Sequence, residues 1–152
     1  MTNAANFLGE IKVTYERKES PPPAWTSSAD SVKFFRSIIG SDWIEHHEEM
    51  WAAYLNKANK LVGFHQLSKG SIDGTVCDIR ILLQAALGCN ASGVILMHNH
   101  PSGNLKPSQI DITLTNKAKN ACALLDIKLL DHLILTYESS YSFADEGLLN
   151  TN

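Results

Sequence analysis

Three observations predict an α/β architecture, an α+β sandwich with helices flanking one sheet. Apolar residues alternate at a period of two in some stretches and recur at helical spacing in others. The run Val94-Ile95-Leu96-Met97 is too apolar and too short for a surface helix and sits between two helical patterns, as a buried strand would. Short polar breaks separate successive strand-like runs, which favours consecutive, antiparallel pairing. With 152 residues, 44% of them hydrophobic, the chain is long enough for one globular domain that buries roughly two thirds of its unfolded surface.

The elements follow in order. IKVTYER, 11–17, reads as a short strand, and SPPPAW, 20–25, then bars helix and ladder because proline fixes φ and lacks an N–H. Residues 1–26 are therefore expected to be an N-terminal strand and proline-rich linker, with the main domain over 27–149. In 27–40 (SSADSVKFFRSIIG), cap candidates precede Val32, Phe35, Ile38 and Ile39, and Gly40 closes the pattern of a helix. EEMWAAYLN, KLVGFHQLSKG and GTVCD read as strands. From Asp78, a cap candidate, Ile79, Leu82, Leu83, Ala86 and Leu87 trace a helix that exits at Gly88. GVILMHNH is the buried strand. From Ser108, Ile110, Leu114, Ala118, Ala121, Cys122 and Leu125 trace a second helical face, and 127–149 finish as one or two strands.

Thirteen basic against sixteen acidic side chains give a net charge of -3, without the basic excess that drives binding to a phosphate backbone. Nucleic acid is thus disfavoured as a partner. Cys77, Cys89 and Cys122 form no C-x-x-C pair, are odd in number and lie within apolar patterns, which suits a reduced cytoplasm. The N-terminus has no basic region leading into an apolar one, and no window approaches 18 uninterrupted apolar residues, so a cytoplasmic protein without a membrane segment is expected.

The chemistry concentrates in HNHPSGNLKPSQID, 98–111. Residues i and i+2 of a strand project to one face, so His98 and His100 can aim two imidazoles at one point while Asn99 faces away. Pro101, Ser102 and Gly103 end the strand, and Asp111 falls in the first turn of the next helix, from which it can reach back. Two neutral nitrogens and a carboxylate suit Zn²⁺, with the fourth tetrahedral position open to water. Ser108-x-x-Asp111 also fits a capping box, an acidic N3 residue beside a serine cap. The two roles are compatible.

H-x-H followed by proline, serine and glycine, then P-S-x-x-D, resembles the JAMM (MPN-plus) metalloprotease motif in the form found in the RadC family. EEMWAAYLNKANKLVGFHQLSKG, GTVCDIRILLQAAL and LLDHLIL…YSFADEGLL also resemble RadC segments, in RadC order, over roughly 27–149. The resemblance implies a zinc-dependent MPN/JAB-like fold, a curved, mixed, mainly antiparallel sheet flanked by helices of the cytidine-deaminase-like kind. It implies His98, His100 and Asp111 as metal ligands, and Ser108 as the motif serine that orients the bound water or stabilises an oxyanion. Longer RadC proteins carry a helix-hairpin-helix region before this domain. Only about 26 residues stand there in this chain, so the DNA-repair label of the family is expected to lack its natural binding module.

Amide hydrolysis also needs a group to take a proton from water and return it to the leaving amine. Glu45, Glu48 and Glu49 are available in EHHEE, which otherwise reads as a solvated charged turn carrying His46 and His47. Glu48 would share a strand face with Met50, Ala52 and Tyr54, and Glu49 with Trp51, Ala53 and Leu55. Hydropathy does not decide which face is inward, whereas the resemblance to RadC maps the catalytic glutamate to Glu48. Asp131-His132 reads as a buried hydrogen-bonding pair or a support to the ligands.

Three functions follow. The first is a zinc-dependent hydrolase of peptide or isopeptide bonds, acting on a protein or peptide substrate. The second is a DNA-repair-associated RadC-like protein or metal-dependent phosphodiesterase, against which the scattered Lys57, Lys60 and Lys69 count. The third is a non-catalytic MPN scaffold, against which the complete ligand set counts.

Overall fold

Residues 8–16, 23–71 and 77–149 are described by the computed structural model. They contain α1 (Ser28–Ile39), β1 (Glu48–Leu55), β2 (Leu61–Ser71), α2 (Ile79–Gly88), β3 (Gly93–Asn99), α3 (Gln109–Ala123), β4 (Lys128–Leu135) and β5 (Ser140–Ser142). The strands form one sheet in the order β2-β1-β3-β4-β5. Neighbours are antiparallel except β3 and β4, which run parallel because α3 carries the chain back between them. The expected α+β architecture, with a mixed and mainly antiparallel sheet, is thus observed.

Side-chain alternation divides the sheet into two apolar faces. Met50, Ala52 and Tyr54 of β1, with Val94 and Leu96 of β3, pack on Leu82 and Ala86 of α2 and Ala118 and Cys122 of α3. Ala53, Leu55, Ile95, Met97, Leu133 and Leu135 pack on Phe35 and Ile39 of α1. Every residue of β3 is buried, as its uninterrupted apolar run predicts for a strand covered on both sides. Burial of each of Val94, Ile95, Leu96 and Met97 contributes about 1.5–3 kcal/mol, which makes β3 a rigid base for whatever its C-terminal end carries.

Local chemistry sets the helix ends. Asp30 accepts hydrogen bonds from the N–H groups of Thr26 and Ser27, and Asp78 accepts one from the Arg80 N–H at 2.9 Å. In α3 the Ser108 hydroxyl accepts from the Asp111 N–H at 3.1 Å while the Asp111 carboxylate accepts from the Ser108 N–H at 2.7 Å. The capping box is therefore real.

Three expectations need correction. No ladder forms over 11–16, the described part of the strand expected at 11–17; Ile11 and Val13 remain exposed, with no sheet face to cover, and the segment is attached by the Tyr15 hydroxyl donating to the Val62 carbonyl. Of GTVCD, 74–76 lie outside the described residues, and Cys77 and Asp78 are not strand but the approach to the α2 cap. The buried face of α3 is Asp111, Thr115, Ala118 and Cys122, whereas Ile110 is exposed, because two polar residues on that face have buried partners. Of the proline-rich stretch, 20–22 lie outside the described residues. Trp25 belongs with the domain: its N–H donates to the Asn59 carbonyl and its ring packs on Phe34. Among the described residues no helix is long and apolar enough to cross a membrane.

Candidate metal centre

β3 delivers His98 to the face that carries Val94 and Leu96, and the chain then turns sharply. Gly103 makes this turn possible with φ of 82°, a left-handed conformation that costs glycine little. The turn places the Asn104 carbonyl 2.6 Å from His100 Nδ1. A carbonyl can only accept, so Nδ1 bears the proton and Nε2 faces the other way. There it lies 2.9 Å from His98 Nε2 and 3.4 Å from Asp111 Oδ2, while His98 Nε2 lies 3.2 Å from Asp111 Oδ1.

These residues form a group that could hold a metal ion. A tetrahedral ion with ligand bonds near 2.0–2.1 Å spaces its donors about 3.3 Å apart, and the three contacts bracket that value. Burial opposes ionisation of Asp111, but hydrogen bonds with His100 and His98, the charge of His98 and the Ser108 N–H outweigh it and hold the carboxyl well below its usual range. His100 is held above the usual histidine value: burial works against this, and the Asp111 and Asn104 contacts overcome it.

β1 supplies the fourth group. Its register pairs Met50 with His98, and Glu48 lies two residues further along the same face. Glu48 and His100 line one cleft of about 370 Å³, together with His46, His47, Pro101, Ser102, Asn104, Lys106 and Ser108. Burial raises the Glu48 carboxyl above its usual value, with His98 and His100 opposing and Asp111 reinforcing the shift. Its Oε2 atom is buried without a protein hydrogen-bond partner. A buried carboxylate oxygen without a partner is unusual, since buried polar atoms are nearly always hydrogen-bonded.

Glu49 points elsewhere. Its two oxygens take up His47 Nε2 at 2.8 Å and Trp51 Nε1 at 2.9 Å. Ser108 caps α3 and lines the cleft at once. His46 is exposed, whereas His47 is partly buried and anchored to Glu49, so it is not the freely solvated side chain expected of this turn.

Asp131 and His132 are both buried, but they do not pair side chain to side chain. Asp131 accepts from the His132 and Ala144 N–H groups and the Ser142 hydroxyl, whereas the His132 ring lies between His98 Nδ1, at 2.8 Å, and Thr115 Oγ1, at 2.6 Å. Adjacent strand residues face opposite sides of the sheet, which separates them. Two further residues escaped sequence reasoning. Thr115 carried only a signal at odds with its apolar neighbours. Asn99, between the two histidines, donates to the Ile44 and His47 carbonyls and accepts from the Glu49 N–H, so one side chain clamps both peptides that flank Glu48.

A family model described as RadC-like JAB domain matches residues 25–148. A UPF0758 protein of Flavobacterium johnsoniae is 49% identical over 123 residues, covering 81% of this chain and 52% of that protein. A UPF0758 protein of Porphyromonas gingivalis is 41% identical over 147 residues, covering 96% and 65%. UPF0758 protein YfjY of Escherichia coli is 41% identical over 124 residues, covering 78% of each chain. The chain thus spans between half and two thirds of the length of the first two relatives. It belongs to the RadC-like JAB domain family.

Proposed function

From membership of the RadC-like JAB family, we propose that the chain is a zinc-dependent hydrolase of peptide or isopeptide bonds. His98, His100 and Asp111 are the metal ligands in this reading, and Glu48 is the general base. The observation that carries it is convergence: Glu48, one oxygen of which is buried without a partner, lines the cleft to which His100 also contributes, beside three donors at metal-ligand spacing. Zinc held there would polarise a carbonyl and acidify a water.

The protein's own groups supply the remainder. Glu48, whose carboxyl burial raises above its usual value, takes a proton from the attacking water and returns it to the departing amine. Ser108 accepts from the Asp111 N–H through its oxygen, so its own proton is available to the cleft for the oxygen of a developing tetrahedral centre. Asp111 serves as cap and ligand together, since the Ser108 N–H occupies only one lone pair of Oδ2. Asn99 holds the strand of the ligands against the strand of the base.

The decisive assay loads purified protein with zinc and screens peptide and isopeptide conjugates. Cleavage that disappears on chelation and returns with zinc is expected. Zinc-loaded protein that cleaves phosphodiesters but no amide would replace this reading with the phosphodiesterase one. Lys57, Lys60 and Lys69 are scattered along the sequence, so any DNA binding should be weak and fall steeply with salt.

A further inference from the structure

We infer that His132 and Thr115 are positioning residues that fix the proton of His98 on Nδ1 and so present Nε2 bare to a metal. The inference rests on the metal-centre reading above and adds to it how the protein prepares its own ligand. The direction of the chain follows from one hydroxyl. Thr115 Oγ1 lies 2.6 Å from the Asp111 backbone carbonyl and 2.6 Å from His132 Nδ1. The carbonyl can only accept, so it takes the single hydroxyl proton, and the hydroxyl oxygen must accept from His132 Nδ1–H.

His132 is fully buried and stacked on Phe143, with ring centroids 4.9 Å apart. With its Nδ1–H committed to Thr115, the neutral ring has its lone pair on Nε2. Nε2 therefore keeps its lone pair and accepts from His98 Nδ1–H at 2.8 Å. A neutral His98 then holds its one proton on Nδ1, and its Nε2 is bare. His100 reaches the same tautomer by a different route, through the Asn104 carbonyl. When both rings are neutral, two nitrogen lone pairs face one another at 2.9 Å beside a carboxylate, an arrangement that a proton or a metal cation stabilises.

The chain of bonds closes on itself. Asp111 sends its carboxylate to the site and its backbone carbonyl to the far end of the relay, one helical turn before Thr115. Three elements, β3, β4 and α3, are thereby held in one arrangement without metal. Outer hydrogen bonds of this kind typically contribute about 10- to 100-fold to metal affinity.

Long-range ¹H–¹⁵N spectra of metal-free protein, with zinc titrations against a competing chelator, test this. At a pH where the imidazoles are neutral, wild-type His98 should show a protonated Nδ1 and a bare Nε2, and His132 the same pattern. Thr115→Val keeps the shape but removes the hydroxyl, so both tautomers should shift and zinc affinity fall about 10- to 100-fold, while Thr115→Ser restores both. His132→Leu should lose affinity similarly; if it fails to fold, the isosteric Thr115 pair carries the test alone. A wild-type His98 proton on Nε2, or equal zinc affinity in folded Thr115→Val, overturns the inference. Wild-type protein that binds no zinc at all overturns the metal-centre reading instead, so the two failures are distinguishable.

Discussion

On the α1 face of the sheet Glu49, Asn99 and Asp131 spend their polar atoms on protein partners, whereas on the opposite face His98, His100, Asp111 and Glu48 turn toward one cleft or one another. Both sets are largely buried and drawn from overlapping stretches of sequence; Glu48 and Glu49 are adjacent and chemically identical. The difference lies in what their lone pairs meet. Glu49 ends in two N–H groups and braces the turn before β1. Glu48 keeps an unpartnered buried oxygen, a cost in stability that the proposed proton-transfer role would account for.

Substitutions that cross the two faces test the contrast. The largest effect belongs to His98→Ala, which should abolish tight zinc binding, measured by chelator competition, while the circular dichroism of the folded protein persists. Chelation of the wild type should likewise leave the fold in place, because β3 and its flanking helices already bury an apolar core; cooperative unfolding on zinc removal would make the metal structural.

Next, Glu48→Gln keeps size and removes basicity. Hydrolysis at matched zinc occupancy should fall roughly 10²- to 10⁴-fold, the range for a general base, with metal content unchanged. Loss of activity in Glu49→Gln instead would show that the two faces are assigned the wrong way round.

Asn99→Ala comes third. It strands the Glu49 N–H and the Ile44 and His47 carbonyls, so urea unfolding should show a loss of about 3 kcal/mol, with slower hydrolysis as the peptides around Glu48 loosen. The smallest effect is that of Glu49→Gln, which retains one acceptor oxygen of two. It should cost about 1 kcal/mol in the same unfolding experiment and leave turnover nearly intact.

Much of this is legible in the sequence. The period change at Asp78, the apolar run ending in His98 and the Ser108-x-x-Asp111 spacing each report local geometry, and local geometry is what periodicity encodes. The choice between Glu48 and Glu49 was not local. Both faces of β1 are apolar, so hydropathy gives no preference, and which of the two glutamates faces the ligands follows only from the pairing of Met50 with His98 across two strands. Thr115 was obscured for a related reason: a helical face read by its apolar members passes over the polar residue that binds a buried histidine. The segment 11–16 shows the opposite error, an alternating pattern with no sheet edge to receive it.

The central claim is that the α2/α3 face ends in a preorganised metal site, and zinc stoichiometry tests it most directly. Metal-free protein is equilibrated with zinc, dialysed against metal-free buffer and analysed for metal by mass spectrometry alongside His98→Ala. Wild-type protein should retain about one zinc per chain, held by His98, His100 and Asp111, and the variant none. Folded wild-type protein that emerges without zinc, or a variant that retains as much as the wild type, would contradict the account.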